Sequence, residues 1–181
     1  MTHETLFAGF GGQGVLLAGR LLVYAGMIAG KEGSFMPAYG PEMRGGTASC
    51  SVIVSDEPVG SPVINKPELL VALNKPSLHK FEPLMQPGGV VIINSSLIDE
   101  KAARTDIKAY YVPMNDMAQK LGNPKALNMV ALGALLGATK MLDTHYFRDV
   151  LAKNFASKPE IIDSNMKALE SGIEFINSYS G

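Results

Sequence analysis

The chain has 181 residues, of which 46% are apolar, so it is long enough for one buried core and too short for two domains of ordinary size. Its 16 basic and 17 acidic side chains give a net charge of -1, which excludes the basic field that holds a nucleic-acid backbone. We therefore expect a single domain over residues 1–181 that binds no nucleic acid.

Strands and helices alternate along most of the chain, and the last third is helical. The order predicts a Rossmann-like, three-layer α/β/α domain. The segment 47–55 alternates polar and apolar residues, as an edge or antiparallel strand would, so we expect a mixed, mostly parallel sheet. The predicted strands are 5–9, 34–36, 47–55, 69–73, 90–93 and 107–112, and the predicted helices are 13–29, 77–85, 115–121, 127–142, 145–155 and 160–177.

Local signals at the helices add detail to this outline. Gly30 is predicted to cap the carboxyl end of the first helix, and Ser77 the amino end of the second. Gly133 and Gly137 give the helix 127–142 a small-residue face, and the last helix carries one apolar stripe. We interpret both as core packing, with a subunit interface as the alternative.

A glycine motif follows the first predicted strand. Residues 7–14 read FAGFGGQG, so Gly9, Gly11 and Gly14 have the GxGxxG spacing between a strand and a helix. Glycines here allow a sharp turn and close packing of strand on helix. The amides of the first helical turn, together with the positive end of the helix dipole, favour an anion.

A dinucleotide site would also need an acid on the next strand, to bind the ribose hydroxyls. That strand reads GSFMP; Glu32 precedes it and Glu42 lies beyond its predicted end. The sequence therefore supports an NAD or FAD site less than a turn built for packing or for another anion.

A second motif occupies residues 37–46, which read PAYGPEMRGG. Arg44 precedes Gly45 and Gly46, so its guanidinium lies on a loop that a partner can approach closely, which suits a carboxylate or phosphate. An ion pair with an acid of this chain or of a neighbouring subunit explains Arg44 equally well. Because Tyr39 and Met43 lie on the same loop, we hypothesise that residues 35–46 dock into partner chains.

Metal and nucleophile signatures are missing from the sequence. The single cysteine, Cys50, excludes an internal disulfide and cannot hold an iron-sulfur cluster alone, and we interpret it as a buried strand residue. The three histidines lack the spacing of metal ligands, and no catalytic residue is predicted. With a longest apolar segment about half the length of a bilayer span and no basic leader, the chain is expected to be cytoplasmic, without a membrane contact.

Taken together, the two motifs resemble the gamma subunit of the 2-oxoacid:ferredoxin oxidoreductases. The order GFGGQG and then YGPEMRGG carries the resemblance, and the later stretches TASCSVIVS, SPVI and LNKPSLHKFEPL extend it. The motif YGPEMRGG is most similar to the corresponding sequence of the family members that act on 2-oxoglutarate or branched-chain 2-oxoacids. Enzymes of this family oxidise a 2-oxoacid on thiamine diphosphate and magnesium, pass electrons through iron-sulfur clusters to ferredoxin, and transfer the acyl group to coenzyme A.

The resemblance implies a subunit that is inactive alone and holds no cofactor tightly. Its partners would be alpha, beta and delta subunits, with ferredoxin reached through the complex, and coenzyme A is the ligand that this chain could help to bind. The alternatives are the small subunit of indolepyruvate ferredoxin oxidoreductase and a stand-alone Rossmann-like dinucleotide-binding domain. The candidate cofactor-binding positions are Gly9, Gly11, Gly12, Gln13, Gly14, Arg44, Gly45 and Gly46.

Overall fold

The computed structural model describes residues 1–38 and 46–181. Every predicted strand and helix is present, with ends shifted by a few residues. There are also two short 3-10 turns: Glu82–Leu84 follows the second helix, and Pro124–Ala126 joins the third helix to the fourth. The strands are β1 (Thr2–Phe10), β2 (Glu32–Ala38), β3 (Thr47–Ser55), β4 (Leu69–Ala72), β5 (Val90–Asn94) and β6 (Lys108–Val112), and the helices are α1 (Val15–Ile28), α2 (Lys75–Phe81), α3 (Met114–Lys120), α4 (Leu127–Thr139), α5 (Thr144–Asn154) and α6 (Pro159–Asn177).

The six strands form one sheet in the order β2-β3-β1-β4-β5-β6. β3 runs antiparallel to both of its neighbours, whereas β1, β4, β5 and β6 pair in parallel. The predicted mixed, mostly parallel sheet is confirmed. The carboxyl ends of β1, β4 and β5 therefore meet at one edge of the sheet, together with the end of β2 and the start of β3.

The helices divide unequally between the two faces of the sheet. α1, α3, α4, α5 and α6 bury residues on one face, against Phe7, Cys50 and Ile92 of the sheet. On the other face α2 packs Leu78 and Phe81 against β1, β4 and β5. The predicted three-layer arrangement is confirmed, with most of the helical mass on a single face.

β3 lies inside the sheet, so the suggestion of an edge strand is wrong, while its antiparallel direction is confirmed. Ser49, Ser51 and Ser55 are at most 9% exposed. Serine is small, and the Ser55 hydroxyl has a partner in the Thr2 hydroxyl, 2.7 Å away, so burial costs it little. The alternation therefore distinguishes the two faces of the strand and does not give its position in the sheet. β2 is the edge strand at this end.

The predicted cap of the second helix is also wrong. α2 begins at Lys75, and Asn74 is its cap: the Asn74 Oδ1 atom accepts a hydrogen bond from Ser77 N at 2.9 Å. Asparagine and serine cap helices about equally well, so local preference alone does not choose between them. The position of the preceding strand determines which residue caps the helix. Because β4 ends at Ala72, α2 has room to begin before Ser77.

α4 crosses α6 at very short range. A Cβ atom at Gly133 would overlap the Leu169 carbonyl oxygen, and one at Gly172 would overlap that of Val130. The apolar stripe of α6 lies in the same core. The core-packing interpretation of both helices is confirmed.

Within 1–38 and 46–181, no helix combines the length and the apolar character that a bilayer span requires.

Candidate functional site

The glycine turn connects β1, which ends at Phe10, to α1, which begins at Val15. Gly12 and Gly14 have φ angles of 91° and 78°, in the left-handed region that residues with a Cβ atom adopt at a cost. Gly11 and Gly12 are exposed at the tip of the turn. The predicted strand, turn and helix are therefore present, and the conformation requires glycine at two of the turn positions.

Two glycines of the motif are also required by packing. A Cβ atom at Gly9 would lie 2.6 Å from Gln13 Oε1 and 2.9 Å from the Cβ atom of Leu73. One at Gly14 would lie 2.5 Å from Asn128 Nδ2, at the start of α4. Both positions therefore have a structural requirement for glycine that is independent of any ligand.

The Gln13 side chain closes the turn on itself. Phe10 N donates to Gln13 Oε1 at 2.6 Å, and Gln13 Nε2 donates to the Leu73 carbonyl oxygen at 3.4 Å. Gln13 thereby joins the end of β1 to the end of β4. Its side-chain amide is used within the chain, while the amides at the start of α1 receive no side-chain cap.

The first turn of α1 carries no negative charge of its own. The first turn holds no acidic residue, and the cap residue is Gly14, which has no side chain. The positive end of a helix of 14 residues therefore has no carboxylate of its own turn to neutralise it. An anion at this position would be favoured.

An asparagine that the sequence analysis did not single out organises the same edge. Asn94, at the end of β5, is fully buried. Its Nδ2 atom donates to the Leu73 carbonyl oxygen at 3.1 Å and to Asn115 Oδ1 at 2.8 Å, and its Oδ1 atom accepts from Met114 N at 3.2 Å. An asparagine that closes a β-branched run at the carboxyl end of a parallel strand is the signal that could have identified it.

The second motif starts and ends at this edge. β2 ends at Ala38, which pairs with Ser49, and β3 begins at Thr47, which pairs with Phe10 beside the glycine turn. Gly46, the residue before β3, therefore lies beside the glycine turn. Arg44 and Gly45, together with the proposed anchors Tyr39 and Met43, lie outside the described residues.

β2 does not place the acidic residue that a dinucleotide site needs near the glycine turn. Glu32 is the first residue of β2, so the expectation that it precedes the strand is wrong. It pairs with Ser55, whose other neighbour is Thr2, at the end of the sheet opposite the glycine turn. Glu32 therefore cannot reach a ligand held at the turn.

Cys50 is buried beneath α1, as expected. Its Sγ atom lies 3.6 Å from the Val15 carbonyl oxygen, and burial raises the pKa of the thiol from 9.0 to about 12. The group is therefore a protonated packing residue at neutral pH. Across 1–38 and 46–181, no cluster of three or more histidine, cysteine, aspartate or glutamate side chains is placed to hold a metal ion.

The acidic pair at the surface forms an ion-pair network. Lys75 Nζ lies 3.0 Å from both Asp99 and Glu100, and His79 Nε2 lies 2.5 Å from Glu100. The hydrogen bonds from His79 and then Lys75 lower the pKa of Glu100, and the bond from Lys75 lowers that of Asp99. All of these groups are partly or largely exposed, so the network belongs to a solvated surface turn.

Comparison with known proteins gives a consistent result. A family model described as pyruvate ferredoxin/flavodoxin oxidoreductase matches residues 4–175. The ketoisovalerate oxidoreductase subunit VorA of Methanothermobacter thermautotrophicus is 44% identical over 170 residues, which cover 93% of this chain and 35% of that protein. The chain thus spans about a third of that relative.

Two other matches extend over nearly the full length of both chains. The 2-oxoglutarate synthase subunit KorC of Methanocaldococcus jannaschii is 32% identical over 177 residues, covering 96% of this chain and 94% of that one. The crystal structure of a keto/oxoacid ferredoxin oxidoreductase gamma subunit from Geobacter sulfurreducens superposes with a TM-score of 0.84 at 27% identity, covering 98% and 99% of the two chains.

Proposed function

This chain belongs to the pyruvate ferredoxin/flavodoxin oxidoreductase family, and from that membership we propose that it is the gamma component of an enzyme that oxidatively decarboxylates a 2-oxoacid with coenzyme A. The observation that carries the proposal is the end-to-end match to relatives named as subunits of such oxidoreductases. The chain has one cysteine, so the iron-sulfur clusters would be held by other chains. Thiamine diphosphate and magnesium would likewise be bound by the alpha and beta chains.

For the substrate, we propose a branched-chain 2-oxoacid such as 2-ketoisovalerate, with 2-oxoglutarate second. The relative with 44% identity is named for ketoisovalerate, and the one with 32% identity for 2-oxoglutarate. Indolepyruvate belongs in the same panel of substrates, because it is the substrate of the alternative family member.

The test is purification from the native source with an affinity tag on this chain. Mass spectrometry identifies the chains that co-purify, and acceptor reduction is assayed with each 2-oxoacid in the presence and absence of coenzyme A. We expect alpha, beta and delta chains and the highest rate with a branched-chain 2-oxoacid. Turnover by this chain alone, or its recovery without any oxidoreductase chain, would rule out the proposed function.

A contribution to coenzyme A binding is part of the proposal. The uncapped start of α1, the exposed Gly11 and Gly12, and the return of the chain to the same edge at Gly46 all suit the phosphates of this ligand. Arg44 is the cation that we assign to them, with Gly45 as its flexible neighbour.

Titration of coenzyme A into the assembled enzyme tests this assignment. Arg44→Ala should weaken binding, whereas Arg148→Ala, which removes an exposed arginine paired with Asp163, should leave it unchanged. Equal affinities for the two variants would reject the coenzyme A role and leave the subunit assignment in place.

A further inference from the structure

The outward side of α1 carries a row of exposed apolar side chains. Leu17, Tyr24 and Met27 are 39%, 47% and 57% exposed. Their spacing of seven and three residues places them on the same side of the helix, over about 15 Å at 1.5 Å per residue. Single exposed apolar side chains are ordinary, but an aligned row of them with a tyrosine at its centre is typical of an interface.

The carboxyl-terminal half of α5 turns this row into a groove. Two adjoining hollows, of ≈ 500 and ≈ 260 Å³, lie between the helices and share Tyr24 and Asn154. We refer to them together as the α1–α5 groove. Its lining residues are Leu17, Arg20, Leu21, Tyr24, Met27, Ile28, Val150, Lys153, Asn154 and Phe155.

The groove presents two positive charges that the described part of the chain does not neutralise. Neither Arg20 nor Lys153 forms an ion pair with another described residue, although Asp149 lies one turn before Lys153 on α5. On the same helix Arg148 does pair with Asp163. An occupant that carries carboxylates would therefore complement the groove, whereas a basic one would be repelled.

We propose that the α1–α5 groove docks an amphipathic helical segment of a partner chain, about ten residues long, with apolar side chains toward Tyr24 and acidic side chains toward Arg20 and Lys153. The length follows from the 15 Å row, since about ten helical residues span that distance. The identity of the partner, another chain of the same oxidoreductase, rests on the proposed function. A second copy of this chain is disfavoured, because a two-fold contact would place the same cations against one another.

Charge reversal inside the assembled enzyme tests the proposal. The double variant Arg20→Glu, Lys153→Glu should reduce the amount of partner chain that co-purifies with the tagged chain by about tenfold or more, as expected for a central interface cluster. Lys120→Glu, Lys167→Glu is the matched control: it makes the same change in net charge at exposed positions of α3 and α6, away from the groove. The control should retain its partners.

A photoreactive side chain identifies the occupant directly and does not depend on a loss of assembly. With p-benzoylphenylalanine in place of Tyr24, we expect a cross-link to an acidic amphipathic segment of a partner chain. The same group in place of Leu121, which is 44% exposed elsewhere on the surface, is the control and should give no such product. A cross-link from position 24 to a second copy of this chain, or to a segment without acidic residues, would overturn the proposal.

The two proposals fail in different ways. If the unmodified chain recovers oxidoreductase chains and the double variant recovers them equally well, the groove is not their docking site and the proposed function stands. If the unmodified chain recovers none, the partner named here is wrong together with the proposed function.

Discussion

α1 and α4 are two apolar helices on the same face of the sheet, but the chain encloses only one of them. In α4, 11 of 13 residues are buried, and α6 covers its outer side. In α1, 8 of 14 residues are buried, and leucine, tyrosine and methionine side chains face outward. The apolar composition of α4 therefore serves folding, whereas the described residues leave part of that of α1 exposed, as the proposed docking groove requires.

The two helices are nevertheless in contact at their amino ends, where Gly14 packs against Asn128. The glycine turn is thus joined to the enclosed helix, while the exposed row begins one turn further along α1. Packing on one side of α1 therefore positions an exposed apolar surface on the other. That arrangement suits a component whose role is to fit against other chains.

The largest expected difference in stability between α1 and α4 comes from replacing one leucine in each helix. Leu132 of α4 is fully buried, and Leu17 of α1 is 39% exposed. Leu132→Ala should lower the free energy of unfolding of the isolated chain by about 2–5 kcal/mol, because it leaves a cavity, and Leu17→Ala by less than about 1 kcal/mol. Urea unfolding followed by circular dichroism measures both. Similar losses would mean that the outer side of α1 is covered within the chain after all.

The close crossing of α4 and α6 predicts the next effect. Gly133→Ala should cost roughly 2–3 kcal/mol, because the new methyl group meets a backbone carbonyl that cannot move aside. Helix propensity alone would give a gain of about 1 kcal/mol, so the sign of the change distinguishes the two. Gly60→Ala, where a Cβ atom meets open space, is the control in the same unfolding assay and should change stability little. A stabilised Gly133→Ala would contradict the crossing.

At the glycine turn, packing and backbone strain can be separated. Gly12→Ala should cost about 1 kcal/mol, from the left-handed conformation alone, since no atom lies near its Cβ position. Gly14→Ala should cost about 2 kcal/mol, because it adds the contact with Asn128 to the same strain. The additional loss should shrink in an Asn128→Ala background. Equal losses of stability for Gly12→Ala and Gly14→Ala would show that packing against Asn128 does not require glycine at position 14.

The buried thiol beneath α1 predicts a dependence on pH. Burial raises the pKa of Cys50 from 9.0 to about 12, so between these values the folded chain holds a proton that the unfolded chain has lost. Its contribution to stability is complete below pH 9.0 and should fall by roughly 1 kcal/mol per pH unit as the pH rises toward 12. Unfolding of the wild type and of Cys50→Ala between pH 8 and about 11 isolates the effect, since other groups cancel. If the free energy of unfolding had the same pH dependence in the wild type and in Cys50→Ala, the thiol would be accessible to solvent.

The sequence predicted what depends on neighbours along the chain. Apolar periodicity located every strand and helix, and glycine spacing located the turn beside α1. Asn94 was not predicted because its partner Leu73 follows a different strand, β4, and its partner Asn115 follows a third, β6. The covered side of an apolar helix is only partly a local property. The small residues Gly133 and Gly137 predicted the close packing of α4, but nothing in the residues of α1 tells that its outer side is left uncovered.

The smallest expected change in stability concerns the carboxyl ends of α1 and α4. Here one substitution should stabilise the chain, unlike the substitutions described above. α1 ends on Gly30, at φ 79°, with Lys31 N bonded to the Gly26 carbonyl oxygen at 2.9 Å, as a glycine cap requires. α4 ends on Lys140 at φ 56°, where glycine would relieve the strain. Lys140→Gly should therefore stabilise the chain by about 0.5 kcal/mol, after the loss of the hydrogen bond from Lys140 Nζ to Asn177 Oδ1. Gly30→Lys should destabilise it by about 1 kcal/mol. Thermal unfolding of both variants checks the pair, and changes of equal sign would show that the two helix ends differ in more than their cap residue.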